Sequence, residues 1–467
     1  FNTALTAAAL SPLARVRGAN DDVRVAIIGC GGRGRGAAGQ YKKLKGARLV
    51  AACDPDPSRS GKLAKAHDAK AYTDLREVLD SKEVDAVVVS TCNHWHALGG
   101  ILACQAGKDA YVEKPVSHNI WEGRKLVEAA RKYKRIVQGG TQQRSDPVQD
   151  EIKAYIASGK IGKPLYVRSS RYGQRGPIGK RSKPLEVSKK INYDLWLGPA
   201  ADEPLYRNQL HYDWHWVWNT GNGEMGNWGV HILDDVRNVA LLDKCTLPKR
   251  VGAIGGRVAW DDAGESPNVH SVYFDTGIIP VVFDLTNLPV EAGKRGSPHY
   301  RGVRSGYVIQ CENGYYAGGR GGGWSYDNDG KRLQKFKGNG GPNHPANFVK
   351  AIRSRKPEDL NAEIEEIHYS SAWCHLGNIA TRLGAAYSPE KAKAIGGDLE
   401  PWHEIVEGVN KHLKANNVPL DHPNLKTGPV LELDVEKETF VGASATAEAK
   451  ALLRRTYRKP FVVPEEV

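Results

Sequence analysis

Three groups of residues in this chain have the types and spacing to do chemistry. Gly29, Gly31 and Gly34 in "GCGGRGRG" satisfy a G-x-G-x-x-G pattern. In that pattern the first glycine makes a tight turn, the second lets the backbone approach a pyrophosphate, and the third lets the next helix pack closely. Asp54 closes the apolar run "ARLVAACD", 20 residues beyond Gly34, where a carboxylate would accept hydrogen bonds from an adenosine ribose. Lys114 stands in "DAYVEKPVSHN", between Glu113 and Pro115 at the end of another apolar run. A residue before proline is held extended, so its side chain leaves the strand end in a fixed direction, whether the Lys-Pro bond is trans or cis. Beside a cationic nicotinamide and out of water, an ammonium loses stability and its pKa falls. Such an amine can hydrogen-bond a substrate hydroxyl and exchange its proton at neutral pH. The residues alone leave a second reading open, a surface lysine bridged to Glu113.

The elements around these residues must position them. "VRVAIIG" (residues 23–29) is a continuous apolar run, as expected for a strand covered on both faces. It runs into the glycine turn, where Gly32 and Arg33 join Gly29, Gly31 and Gly34 as the residues expected to face a dinucleotide. Helical "SRSGKLAKAH", a short strand near Ala71, helical "DLREVLDS", the strand "VDAVVVST", helical "HALGGILACQAG" and the strand "DAYVEK" follow. This β-α-β-α order predicts a doubly wound parallel sheet, in which ligands bind at the carboxyl ends of strands. Thr91, Cys92, Asn93 and His96 fall at one such end, and Glu113, Lys114 and Pro115 at the next. Asp54 favours NAD over NADP, because a 2'-phosphate would sit against a like charge, a preference that Arg59 softens.

Length and composition limit the alternatives. The 467 residues correspond to about two to three domains. The formal charge of +13 is dispersed among acidic residues, and nucleic-acid binding needs a concentrated basic patch, so none is expected. The glycine-arginine run from Gly318 to Trp324 reads as a hairpin loop. Seven cysteines, with Cys30, Cys53 and Cys92 at strand ends, imply free thiols and no disulfide framework. His94/His96 and His211/His215 lack the Cys or carboxylate companions of a zinc site, so no metal is expected. After the opening stretch no run of about 20 apolar residues suggests a membrane span. That opening, "FNTALTAAALSPLA", is similar to the downstream part of a twin-arginine leader. It sets the expectation of a periplasmic protein exported already folded around its cofactor. An ordinary N-terminal arm on a cytoplasmic protein is the alternative.

"STCNHWHALGGILACQAGKDAYVEKPVSHN" resembles the paired strand-end motifs of the glucose-fructose oxidoreductase, inositol dehydrogenase and MocA (Gfo/Idh/MocA) family, T-P-N-x-x-H followed by A-G-K and E-K-P. Cys92 replaces the usual proline. Weaker matches continue as "GGTQQRSDP", "SGKIGKPLYV", "GEMGNWGVHILDD" and "HPANFVKAIRSRK". The resemblance implies a Rossmann domain over residues 22–146 after an arm or leader over 1–21. It also implies a substrate-binding and oligomerisation α/β domain over 147–467, with a large open, mainly antiparallel sheet, and so a dimer or tetramer. The cofactor-facing set it implies is the glycine turn with Asp54, Thr91, Asn93, His96, Glu113 and Lys114.

In the family, a second-domain helix carries an Asp and, four residues on, a His that meets the lysine at the reacting carbon. The matching positions are Asn227 and His231, which a spacing of four puts on one helical face. Asn227 can orient a hydroxyl or the lysine but carries neither a proton nor a negative charge, so the chemistry is expected to lean on Lys114, holding the oxygen, and on His231 as the general base that removes the hydroxyl proton. A helix-face pairing of His231 with Asp234 or Asp235 is the structural alternative. Trp214, Trp216, Trp218 and Trp228 suit a carbohydrate ring, with at least half of them expected in packing. Gln143 and Arg144 match a substrate-lining position, against a structural ion pair.

The expected activity is NAD-dependent oxidation of a secondary hydroxyl of a sugar, polyol or glycoside, or reduction of the ketone. Two alternatives accompany it. One is a glycoside hydrolase or sugar-sugar oxidoreductase that uses tightly bound NAD in a redox-neutral cycle; the other is a dinucleotide or sugar sensor without activity.

Overall fold

The computed structural model describes residues 22–467, so the leader-like stretch at residues 1–21 lies outside the described residues. The first domain is built on strands β1 (Val23–Ile28), β2 (Ala47–Cys53), β3 (Lys70–Tyr72), β4 (Ala86–Val89), β5 (Asp109–Val112) and β6 (Val137–Gly139). They form one parallel sheet in the order β3-β2-β1-β4-β5-β6. β1, β4 and β5 are nearly all apolar and buried, because crossover helices cover both faces of the sheet. Local chemistry starts those helices where the chain leaves each strand. Asp56 accepts from the Ser58 amide ahead of the helix Pro57–His67, and Asn119 accepts from the Glu122 amide ahead of the helix Ile120–Lys132.

The second domain is a twelve-stranded sheet. Its main path uses β7 (Pro164–Tyr172), β8 (Arg250–Gly256), β9 (Val269–Asp275), β10 (Val281–Thr286), β11 (Ser305–Cys311), β12 (Gly314–Gly319), β13 (Gly322–Asp327) and β14 (Arg332–Lys337). Along the order β14-β13-β12-β11-β7-β10-β9-β8, only the β7–β10 pair is parallel. The glycine-rich run of residues 318–324 forms the β12–β13 hairpin, as its glycine content suggested, and Arg320 is at its tip. The helices Val230–Val239 and Ile364–Arg382 pack on this sheet through Val230, Leu233, Val236, Trp373 and Leu376, against Phe274 and Phe283.

The chain then returns to the first domain. Phe348, Val349 and Ile352 of the helix His344–Ser354 share a core with Val23 and Val25, and the terminal Phe461, Val463 and Val467 pack with Trp95 and Leu98. All seven cysteines are free. No helix among the described residues is long and apolar enough to cross a membrane.

Candidate active site

A cleft of about 400 Å³ opens at the carboxyl ends of β1, β2, β4 and β5. Its floor is the turn after β1. Gly29 has φ +91°, and a Cβ there would meet the Ser90 carbonyl oxygen at 2.6 Å; a Cβ on Gly34 would lie 1.9 Å from the Gly29 oxygen. Only glycine permits this approach of helix Gly32–Lys43 to the strand. Gly31 and Gly32 line the cleft, with no atom within 4 Å of a Cβ on Gly32. The helix N-terminus therefore presents bare backbone. Asp54 forms the next part of the wall. Its carboxylate accepts from the Cys30 amide at 2.8 Å and the Asp56 amide at 3.0 Å, while burial raises its pKa. Arg59 also lines the cleft and pairs with Asp56 at 3.4 Å.

Lys114 stands just beyond β5, and its bond to Pro115 is cis. The amine does not bridge to Glu113. Glu113 instead pairs with Arg33 of the glycine turn at 2.5 Å. Burial works to raise the Glu113 pKa, and the Arg33 guanidinium beside it holds it below the usual range. Lys114 Nζ donates to the main-chain oxygen of Asn227, and at 3.3 Å to its side-chain oxygen. Burial lowers the lysine to a pKa of about 8, opposed by Glu113 and reinforced by Arg33. The amine thus exchanges its proton near neutrality, and Lys114 and Asn227 both face the cleft.

Asn227 and His231 do not share one regular helix. Asn227 belongs to a π-helical turn, Met225–Gly229, that leads into the α-helix Val230–Val239 carrying His231. Such wide turns often occur at functional sites. The Asn227 amide donates to Glu224 Oε2 at 3.0 Å, and the fully buried Glu224 pairs with Arg171 at 2.9 Å and Arg175 at 3.2 Å. His231 is 5% exposed and outside the cleft lining, with its ring edge-on to Trp228 at 5.9 Å. Neither Asp234 nor Asp235 pairs with it, since Asp234 binds Arg144 and Ser370 and Asp235 binds Gln149. Its Nδ1 is buried without a partner. Burial and then the nearby Lys114 and Arg320 push its pKa well down, so the ring is neutral. On the cleft wall itself stands His215, stacked on Trp214 at 3.6 Å and held at Nδ1 by the Tyr212 carbonyl at 2.5 Å. Burial lowers its pKa to about 3.

Two profiles of one family match this chain. "Oxidoreductase family, NAD-binding Rossmann fold" covers residues 23–141, and "Oxidoreductase family, C-terminal alpha/beta domain" covers residues 146–287. The chain belongs to the Gfo/Idh/MocA family. Among curated Gfo/Idh/MocA relatives, the inositol 2-dehydrogenase of Rubrobacter xylanophilus is 32% identical over 155 residues, 33% of this chain and 45% of that protein. The scyllo-inositol 2-dehydrogenase (NAD(+)) of Bacillus subtilis is 32% identical over 157 residues, 33% of this chain and 46% of that protein. The chain spans about half the length of the curated relatives it matches. Among solved structures, the WlbA dehydrogenase of Bordetella pertussis, in complex with NADH and UDP-GlcNAcA, superposes with a TM-score of 0.57 at 18% identity. That match covers 76% of this chain and 95% of the other and shows a shared fold.

The Rossmann domain of this Gfo/Idh/MocA chain fits NAD, because bare glycine backbone, a strand-end carboxylate and a strand-end lysine line one cleft. Thr91, Asn93, His96 and Glu113 line it too. His96 is fixed by the Pro115 carbonyl at 2.6 Å, while Asn93 donates to Asn222 at 2.9 Å. His94 is buried between the carbonyls of Thr220 and Trp196, and among the described residues no cluster of metal-ligating side chains forms.

Arg144, Gln143 and Trp228 are outside the cleft lining. Arg144, 4% exposed, forms the structural ion pair, with Asp234 at 2.9 Å and Asp243 at 2.8 Å. Gln143 donates to Asp146 at 3.3 Å. Trp228 stacks under Arg171 at 4.3 Å. Of the four tryptophans singled out, only Trp214 lines the cleft.

The sequence reading missed Glu224, Arg171 and Arg175 behind Asn227, as well as His215. The available signal was the density of charged and aromatic residues between 171 and 228. It carried no spacing rule, because little of that stretch is regular.

Proposed function

We propose that this chain is an NAD-dependent dehydrogenase that oxidises a secondary hydroxyl of a sugar or polyol, or reduces the corresponding ketone. One observation carries the reading: a lysine with its pKa near 8 lines the same strand-end cleft as the glycine turn and Asp54. Bound NAD supplies a hydride acceptor. The glycine turn and the helix N-terminus behind it hold the pyrophosphate, and Asp54 accepts from the adenosine ribose. With Arg59 tied to Asp56, the Asp54 carboxylate disfavours a 2'-phosphate, so NAD is preferred to NADP.

Neutral Lys114 hydrogen-bonds the substrate hydroxyl and takes its proton as the C-H hydride leaves, so each turnover yields ketone, reduced cofactor and one lysine ammonium. Asn227 fixes the amine from behind. Two neutral imidazoles lie within the field of the lysine: His231, to which the family motif points, and His215, which faces the cleft. Burial holds both well below the lysine pKa, so the proton stays on the amine; His215 is placed to hydrogen-bond the substrate, and His231 acts through Trp228 and the local charge. The inositol dehydrogenase names of the curated relatives support a polyol substrate. A homo-oligomer belongs to the same proposal, and light scattering measures it.

The test is to denature the purified protein, identify any released nicotinamide and its redox state, and then screen inositols, hexoses and glycosides for cofactor reduction. Substrate-dependent NADH formation supports the dehydrogenase. Release of aglycone from an aryl glycoside with no added NAD and no net NADH would assign the redox-neutral cycle instead.

A further inference from the structure

Between β7 and the π-helical turn, residues 173–224 leave the second sheet and reach the first domain. Leu195, Trp196, His211, Tyr212, Trp214 and His215 of this stretch line the dinucleotide cleft together with the glycine turn and Asp54. Its regular structure is limited to the helix Tyr193–Leu197 and the 3-10 turn Asp213–Trp216, so contacts with other parts of the chain hold it in place. The Asn192 amide donates to the Pro55 carbonyl at 2.9 Å, one residue past Asp54, and Trp95 Nε1 donates to the Leu195 carbonyl at 3.0 Å. From the C-terminal tail, Arg458 donates to the Gly198 carbonyl at 3.0 Å, to Asp194 Oδ1 at 2.6 Å and to the Asp194 carbonyl at 2.7 Å.

One side chain of this stretch is left without a partner on the cleft wall. Arg207, 1% exposed, ties down the turn before His211 through the carbonyls of Gln209 at 3.1 Å and Leu210 at 3.4 Å. The His211 ring then lies beside Asp56, two residues past Asp54. Its Nε2 is 3.7 Å from Asp56 Oδ2, too long for a hydrogen bond, and is buried without a partner. Burial and then Arg59 lower its pKa, so the ring is neutral and makes no ion pair with Asp56. Nothing among the described residues takes up Nδ1, although the side chain is 28% exposed and lines the cleft. An imidazole this enclosed with neither nitrogen hydrogen-bonded is unusual in a native protein, and the group that occupies the cleft can supply the partner.

We propose that residues 192–215 form a strap over the bound NAD, and that His211, through Nδ1, hydrogen-bonds a hydroxyl of the adenosine ribose that Asp54 also holds. Release of the cofactor then requires the strap to part from Pro55 and from Arg458. The inference depends on NAD binding alone and not on which hydroxyl the enzyme oxidises.

Fluorescence titration and stopped-flow displacement of NADH test this in the natural sequence and in four variants. His211→Phe keeps a ring and loses the hydrogen bond, whereas His211→Asn keeps a hydrogen-bonding atom near the place of Nδ1. Arg458→Ala removes all three tail contacts with the strap. Asp194→Ala removes the ion pair alone, at a carboxylate that is 62% exposed and outside the cleft lining, so the fold stays intact. The NADH dissociation constant should rise about tenfold in His211→Phe, the size of one lost hydrogen bond, and stay within a few-fold in His211→Asn. NADH release should be about tenfold faster in Arg458→Ala and faster to a smaller extent in Asp194→Ala. Natural affinity in His211→Phe, or equal weakening in His211→Phe and His211→Asn, would overturn the ribose contact. An unchanged release rate in both Arg458→Ala and Asp194→Ala would overturn the strap.

Discussion

Lys114 Nζ is held by two oxygens of a single residue, the main-chain and side-chain carbonyls of Asn227. Both are uncharged, so they fix the amine without stabilising its ammonium as a carboxylate would. The nearest carboxylate behind them, Glu224, is reached through the Asn227 amide at 3.0 Å and is itself neutralised by Arg171 and Arg175. Asn227→Asp would place a charge directly against the amine. The lysine pKa, now about 8, should then rise by about one unit or more. Oxidation needs the neutral amine, which predominates above its pKa, so the rising limb of kcat/KM against pH should move to higher pH. An unmoved limb would separate Lys114 from the titration.

Two imidazoles flank the site without taking the proton from Lys114. His215→Ala should lower kcat about tenfold, the effect of one lost hydrogen bond to the substrate, because His215 faces the cleft. His231→Ala should cost less, because its ring is behind Trp228. Steady-state kinetics of the two variants decide, and the reverse ranking would give the larger role to His231.

Arg144→Ala distinguishes a structural arginine from a substrate-lining one. It leaves Asp234 buried without its ion-pair partner, which should cost about 3–5 kcal/mol in denaturant unfolding. KM of the folded fraction should stay unchanged.

The parallel sheet was legible because its central strands β1, β2, β4 and β5 are short, largely apolar runs ending at glycine or polar residues, and strand ends locate ligands wherever such a sheet forms. Lys114 and Asp54 were therefore placed on one cleft by sequence alone. The partners of Lys114 were not legible. Glu113 is its neighbour in sequence, yet Arg33, 80 positions away, takes that carboxylate. Asn227 was expected one helical turn from His231, and the π-turn changes that geometry by widening the helix just where Asn227 sits. Arg320, on a hairpin tip, lowers the pKa of both Lys114 and His231, a long-range electrostatic effect that no local pattern encodes.

Cofactor choice rests on Asp54. Asp54→Asn keeps an oxygen for one of the two amides, Cys30 on Oδ2 or Asp56 on Oδ1, and removes the charge that opposes a 2'-phosphate. The ratio of NAD to NADP affinity, followed by fluorescence titration, should fall about tenfold, the effect of roughly 1.4 kcal/mol. An unchanged ratio would shift the discrimination elsewhere on the cleft wall.

The most direct measurement is paired on one variant: cofactor affinity and substrate-dependent NADH formation in Lys114→Ala. Neutral Lys114 is assigned the hydroxyl proton, while the glycine turn and Asp54 are assigned the cofactor. Turnover should therefore fall by about 100-fold to 10,000-fold while the NAD dissociation constant stays within a few-fold of the natural sequence. Undiminished NADH formation in a variant that still binds NAD would contradict the account.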